Sequence, residues 1–209
     1  MVSSSAQQGG VATSVVAHSR KLPKAERRDQ LLETAQRIVR EQGTDALTLG
    51  HLAECAGVSK PIAYEHFGTR SGLLVALYRR IDDLQIAALI DALERTPHRL
   101  AEVAQVIAQA FMDCTLQVGQ EWHAITAALM GDGETEAFQQ GVIDRYVDLY
   151  QETLAPYADA PAEVLRLRCI GILGAADAIA REMGRGRVGE LAAVEALAGL
   201  IVASLAQCR

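Results

Sequence analysis

An all-α fold of about nine helices is predicted by three features of this sequence. Aromatic residues make up only 4 % of it, while Ala and Leu are abundant. Runs of β-branched residues are short and few, which disfavours a sheet. Apolar residues recur instead at helical spacing, segment after segment. With 209 residues, 50 % of them hydrophobic, the chain can bury one good core or two small ones.

Taken in order, residues 1–22 are rich in Ser, Gly, Ala and Gln, have no periodicity, and read as a flexible tail ending near Arg20 and Lys21. Past Pro23, Leu31, Ala35, Ile38 and Val39 define an amphipathic helix over 24–42, with Arg27, Arg28, Arg37 and Arg40 on its other face and Gly43 as its stop. Thr48 caps a short helix running to Cys55, and AGVS at 56–59 supplies a tight turn in which Gly57 is the natural site of a positive φ. A third short helix follows from Ser59 to Phe67. Thr69 then caps a long fourth helix to Glu94, with Leu73, Leu74, Leu77, Ile81, Leu84 and Ala88 in one stripe.

Beyond Pro97, further helices are expected near 98–118, 121–130, 134–156, 161–184 and 189–207, separated by turn formers in GDGE, APYADAP and GRGR. This divides the chain into a tail at 1–22, a helix-turn-helix domain at 23–70, and a helical domain at 71–209 entered through a linking helix at 71–94.

Charge divides it too. Residues 1–80 hold 11 Lys and Arg against 7 Asp and Glu, a balance of +4; residues 81–209 hold 9 against 19, a balance of −10; together they give the net −6. The front therefore suits an anionic partner better than the back.

Two helices joined by a Gly-containing turn of about four residues form a helix-turn-helix, whose second helix enters the major groove. Period 3.6 sets Ala63 and Phe67 on the core side against Leu52, Ala53 and Ala56, leaving Lys60, Pro61, Ile62, Tyr64, Glu65 and His66 outward. Ser59 is the expected cap. Pro61 suits the first turn and, with Ile62, offers an apolar surface to thymine methyls; Lys60 can reach a guanine edge or a phosphate. Thr48, Tyr64, His66 and Arg70 are donors suited to phosphate oxygens. Glu65 can accept from cytosine N4 or face solvent.

Gly43, Thr48, Leu52-Ala53, AGVS at 56–59, Tyr64, His66-Phe67 and Leu73-Leu74 together resemble the N-terminal signature of the TetR family of transcriptional regulators over roughly residues 24–80. The resemblance implies a homodimer, a near-palindromic DNA operator, and a small-molecule ligand bound in the helical domain. It also implies phosphate roles for Thr48, Tyr64, His66 and Arg70, and base-edge roles for Lys60, Pro61 and Ile62. The chain departs from the family pattern at Ala63, Leu47 and Gly72, the last standing where an acidic residue would complete a capping box with Thr69.

For the dimer, Gly171, Gly174, Ala175 and Ala178 permit close backbone approach, and Leu191, Val194, Ala198, Ile201 and Leu205 form a stripe on the final helix. For the ligand pocket the candidates are Phe111, Trp122, His123, Met130, Phe138, Val142, Tyr146 and Tyr150; the apolar residues of the 134–156 helix cover a wider arc than one packed stripe needs.

Other classes find little support. Cys55, Cys114, Cys169 and Cys208 lack paired spacing, and the five His lack a ligand motif, so no metal or cofactor is assigned. Gln139 stands where a calcium loop around Gly133 would need its bidentate Glu. With no nucleophile and base pair, no catalytic residue is named. Cys169–Ala180 is too short and too interrupted to span a membrane, and no signal peptide is read at the N-terminus, which points to the cytoplasm. The expected function is a DNA-binding transcriptional regulator, a repressor before a ligand-dependent activator. A protein-interaction module that keeps the fold without reading DNA is the competing view, and Lys60, Tyr64, His66 and Arg70 argue against it.

Overall fold

The computed structural model describes residues 22–129 and 133–206, so all but the last residue of the expected tail lies outside the described residues. Among the described residues there are eight α-helices and no strand: α1 Lys24–Gln42, α2 Leu49–Ala56, α3 Lys60–Phe67, α4 Arg70–Glu94, α5 Leu100–Leu129, α6 Gly133–Leu154, α7 Ala162–Gly184 and α8 Glu190–Leu205. Short 3-10 turns at Thr44–Ala46 and Ala155–Tyr157 follow α1 and α6. The helices expected at 98–118 and 121–130 are a single helix, α5. Gly119 lies between them, but one interior Gly costs only about 1 kcal/mol relative to Ala and does not stop a helix.

Two hydrophobic cores form. The first gathers Leu31, Ala35 and Ile38 of α1, Leu52 and Ala53 of α2, Ala63 and Phe67 of α3, and Leu73, Leu74, Leu77 and Ile81 of α4. It also takes in Ile125 of α5 and Val142 of α6. The second packs Leu89 of α4 with Ile107 and Met112 of α5, Tyr150 and Leu154 of α6, Cys169 and Ile172 of α7, and Val194, Leu197 and Ile201 of α8. Helix α4 thus belongs to both.

Local chemistry sets the joints. The Thr48 hydroxyl accepts from the His51 N–H at 3.1 Å and the Thr69 hydroxyl from the Gly72 N–H at 3.0 Å, so both expected caps are made. Gly57 adopts φ 66° and ψ 35°, the left-handed turn between α2 and α3. At Gly68, φ 67° and ψ −61° make a γ-turn of the rarer hand, closed by the Thr69 N–H on the Phe67 carbonyl at 2.7 Å. This turn folds the end of α3 onto the start of α4.

The absent acidic residue at position 72 follows from that turn. A Cβ there would stand 2.3 Å from the Phe67 carbonyl oxygen, so only Gly fits. Gly72→Ala is therefore expected to lower stability by about 1–3 kcal/mol in urea unfolding. At Gly141 nothing lies within 4 Å of an added Cβ, and Gly141→Ala should be neutral or stabilising by up to about 1 kcal/mol in the same measurement.

Candidate nucleic-acid interface and ligand cavity

Helix α3 is held by its inner stripe, Ala63 and Phe67, and by α1 behind it. The Arg28 guanidinium sits 4.9 Å over the Phe67 ring and donates to the His66 carbonyl at 2.8 Å. That leaves Ser59, Lys60, Pro61, Tyr64 and Glu65 exposed on one surface, with Thr48 exposed beside them. Lys60 lies back over α2, its Cε 3.6 Å from where a Cβ on Gly50 would be, which brings its ammonium near Thr48. The Thr48 hydroxyl still has its own proton to donate.

Four of the expected roles change. Ile62 is half-buried against the first core, because it flanks the Ala63 and Phe67 stripe rather than opposing it. Ser59 occupies the N-cap position, but its hydroxyl makes no cap hydrogen bond. Glu65 pairs with Lys24 at 3.3 Å. Arg70 donates from Nε to the Leu47 carbonyl at 2.9 Å and from Nη2 to the Thr44 carbonyl at 2.7 Å. Its guanidinium ties α4 to the turn before α2 instead of standing free for phosphate. Neither Arg28 nor Arg70 is legible as a scaffold residue from spacing, since both lie on faces that read as solvated.

His66, half-buried, has its pKa lowered from 6.5 chiefly by burial; Glu65 opposes and Lys24 and Arg28 reinforce the shift. The shift favours the neutral ring, which has one N–H to donate. The split between reader and scaffold has a direct consequence. Arg70→Ala is expected to cost about 1–3 kcal/mol of stability by taking the Arg70 donors from the Leu47 and Thr44 carbonyls, the second of which keeps the Leu47 N–H, whereas Lys60→Ala should stay within about 0.5 kcal/mol of the natural chain; denaturant unfolding of both variants checks this.

A cavity of about 140 Å³ opens between α4, α5, α6 and α7, lined by Gln85, Leu89, Ala110, Phe111, Cys114, Thr115, Tyr146, Tyr150, Asp177, Ala180 and Arg181. Of the expected pocket residues, Phe111, Tyr146 and Tyr150 line it. Phe138 and Val142 do not: Val142 is buried in the first core and Phe138 meets Tyr78 edge-on at 5.0 Å. The wide apolar arc of α6 has this cause, one end of the helix facing the first core and the other the cavity. The side chains of Trp122 and His123, and all of Met130, lie outside the described residues.

An ion pair with one buried member joins α4 to α6. Asp82 of α4 is 0 % exposed and accepts from Arg145 of α6 at 2.7 Å, while the other Arg145 nitrogen donates to Asp83 at 2.8 Å. Burial raises the Asp82 pKa and Arg145 opposes the shift.

The outer faces of α7 and α8 differ from expectation in part. Gly171, Gly174 and Ala178 are exposed and Ala175 is half-buried. Val194, Ala198, Ile201 and Leu205, expected at a dimer contact, are buried in this chain's own second core. α8 is apolar or small at nearly every position, so its periodicity could not say which side faces inward; its outer face carries Leu191, Ala192, Ala196, Gly199, Leu200 and Ala203 beside the charge of Glu195.

Residues 31–77 match the family model of bacterial regulatory proteins, tetR family. The chain is 33 % identical over 93 residues to the HTH-type transcriptional activator FasR of Mycolicibacterium smegmatis, covering 44 % of this chain and 42 % of that one. It is 40 % identical over 55 residues to the HTH-type transcriptional regulator BetI of Rhizobium meliloti, covering 26 % and 27 %. These matches thus span less than half of either relative. A TetR-like transcriptional regulator from Rhodococcus sp. RHA1 shares the fold, with a TM-score of 0.61 over 88 % of this chain and 98 % of that one at 23 % identity. Residues 31–77 are thus similar to the N-terminal domain of the bacterial tetR regulatory proteins, and the arrangement of helices is that of a TetR-like regulator's fold.

Proposed function

We propose that this chain is a sequence-specific DNA-binding regulator of transcription, acting in the cytoplasm as a homodimer on a near-palindromic operator. The observation that carries this reading is the exposed surface of α3, where Lys60, Pro61 and Tyr64 stand together with Thr48. Lys60 and Pro61 serve base edges; Thr48, Tyr64 and the neutral His66 serve phosphates. Self-association uses the outward faces of α7 and α8, whose Gly171, Gly174, Ala178, Ala196 and Gly199 allow close helix approach and whose Leu167 and Leu191 are 68 % and 70 % exposed.

Regulation follows from the geometry of two readers. Half-sites about 34–36 Å apart tolerate little change in reader separation. A small molecule that prefers the cavity of a dimer with differently spaced readers withdraws it from DNA by population shift, and α4, shared by both cores, carries the movement. No described helix is long and apolar enough to cross a membrane. Repression is the leading sign of regulation. Ligand-dependent activation is the second, favoured by the activator name of FasR.

The test is selection of fragmented genomic DNA from the source organism by the full chain, beside a Lys60→Ala, Tyr64→Ala double variant. A near-palindromic site enriched by the natural chain alone is expected, with binding that weakens steeply as salt rises. Equal enrichment by both proteins, or none by either at low salt, sinks the reading and favours a protein partner instead.

A further inference from the structure

The ligand-responsive reading leaves open what the cavity binds, and the side chains that line it constrain the answer. Three are aromatic: Phe111 of α5, and Tyr146 and Tyr150 of α6, the last two edge to face with ring centroids 6.4 Å apart. Leu89, Ala110 and Ala180 extend the apolar wall. The volume of about 140 Å³ suits a single six-membered ring.

Charge on that wall is already matched. Asp177 and Arg181, the ionised side chains that reach the cavity, are exposed and pair with each other one turn apart on α7. Burial, with the Asp82 charge as the second cause, holds the Cys114 thiol up at about 11, so at neutral pH it keeps its proton. The Thr115 hydroxyl donates to the Phe111 carbonyl at 3.1 Å. Gln85 of α4 differs from these: its side chain lines the cavity and has no hydrogen-bond partner among the described residues.

We propose that the cavity takes an uncharged molecule of one aromatic ring carrying a single hydroxyl or carbonyl group, the ring packed against Phe111, Tyr146 and Tyr150 and the polar group bonded to Gln85. This rests on the cavity being the effector site. An amide donates and accepts but brings no charge, so it serves a neutral polar group better than an ion. An ammonium or a carboxylate would leave water for a wall whose own charges are matched, and burying an unpaired ion costs more than ring contacts return. An aromatic ring also makes edge-to-face contacts that a saturated body of the same size lacks. Because Gln85 and Leu89 belong to α4, such an occupant touches the helix shared by both cores.

Calorimetric titration of the full natural chain with benzyl alcohol, cyclohexylmethanol, benzylamine and benzoate at neutral pH tests this, run at two temperatures because apolar burial makes the binding heat change with temperature. Benzyl alcohol is expected to saturate the chain, binding about threefold more tightly than cyclohexylmethanol and at least about tenfold more tightly than either ion. Gln85→Leu should weaken benzyl alcohol about fivefold, and Ala110→Phe, which sets a ring into the cavity, should abolish its binding. Equal or tighter binding of either ion, no preference over cyclohexylmethanol, no saturable heat from benzyl alcohol at either temperature, or a folded variant of either kind that keeps the natural affinity each overturns the proposal. If neither variant folds, the ranking of the four ligands on the natural chain decides. These titrations contain no DNA, so failure here is separate from failure to enrich an operator.

Discussion

Helix α4 has to satisfy two cores at once, and the rest of the molecule is arranged around that constraint. Leu73, Leu74, Leu77 and Ile81 are buried with α1, α2 and α3, while Leu89 is buried with α5 to α8. Close packing leaves little room for one core to shift without the helix moving as a rod. The γ-turn at Gly68 and the close approach at Gly72 then hold the start of α4 tightly against the end of α3. A displacement of α4 is therefore a displacement of α3.

Polar contacts refine this mechanical link. Arg70 anchors the first turn of α4 to the carbonyls of Thr44 and Leu47, and Arg28 holds α3 from behind through Phe67 and the His66 carbonyl. Both are cations spent on scaffold within a basic domain, which leaves the reading surface to fewer charges than composition suggests. At the other end, Asp82 and Arg145 join α4 to α6 beside the cavity. An ion pair with a fully buried carboxylate adds less stability than apolar packing of the same volume would, because burying the charge costs much of what the pairing returns.

Which side of a helix faces inward was legible where polar and apolar residues alternate with the helical period, and not where they do not. On α1 and α3 one stripe is apolar, and Leu31, Ala35, Ile38, Ala63 and Phe67 are buried as their spacing implies. On α8 nearly every residue is apolar or small, so Val194 and Ile201 could be assigned outward although they pack inward. Phe138 and Val142 show the same limit on α6, whose two ends meet different neighbours. Arg70 shows it for charge: an Arg just past a reading helix looks like a phosphate donor until the carbonyls within its reach are known.

By itself the sequence determined the helical class, the positions of most helices, the caps at Thr48 and Thr69, the left-handed Gly57 and the buried stripe of α3. Each depends on residues within a turn or two of one another, where propensity, capping and periodicity act. Only the tertiary structure decided that α5 is continuous, that Arg28 and Arg70 are scaffold, which face of α8 is free, and that Asp82 lies buried beside an aromatic cavity. These depend on side chains far apart in the chain, such as Asp82 and Arg145, whose meeting no local pattern encodes.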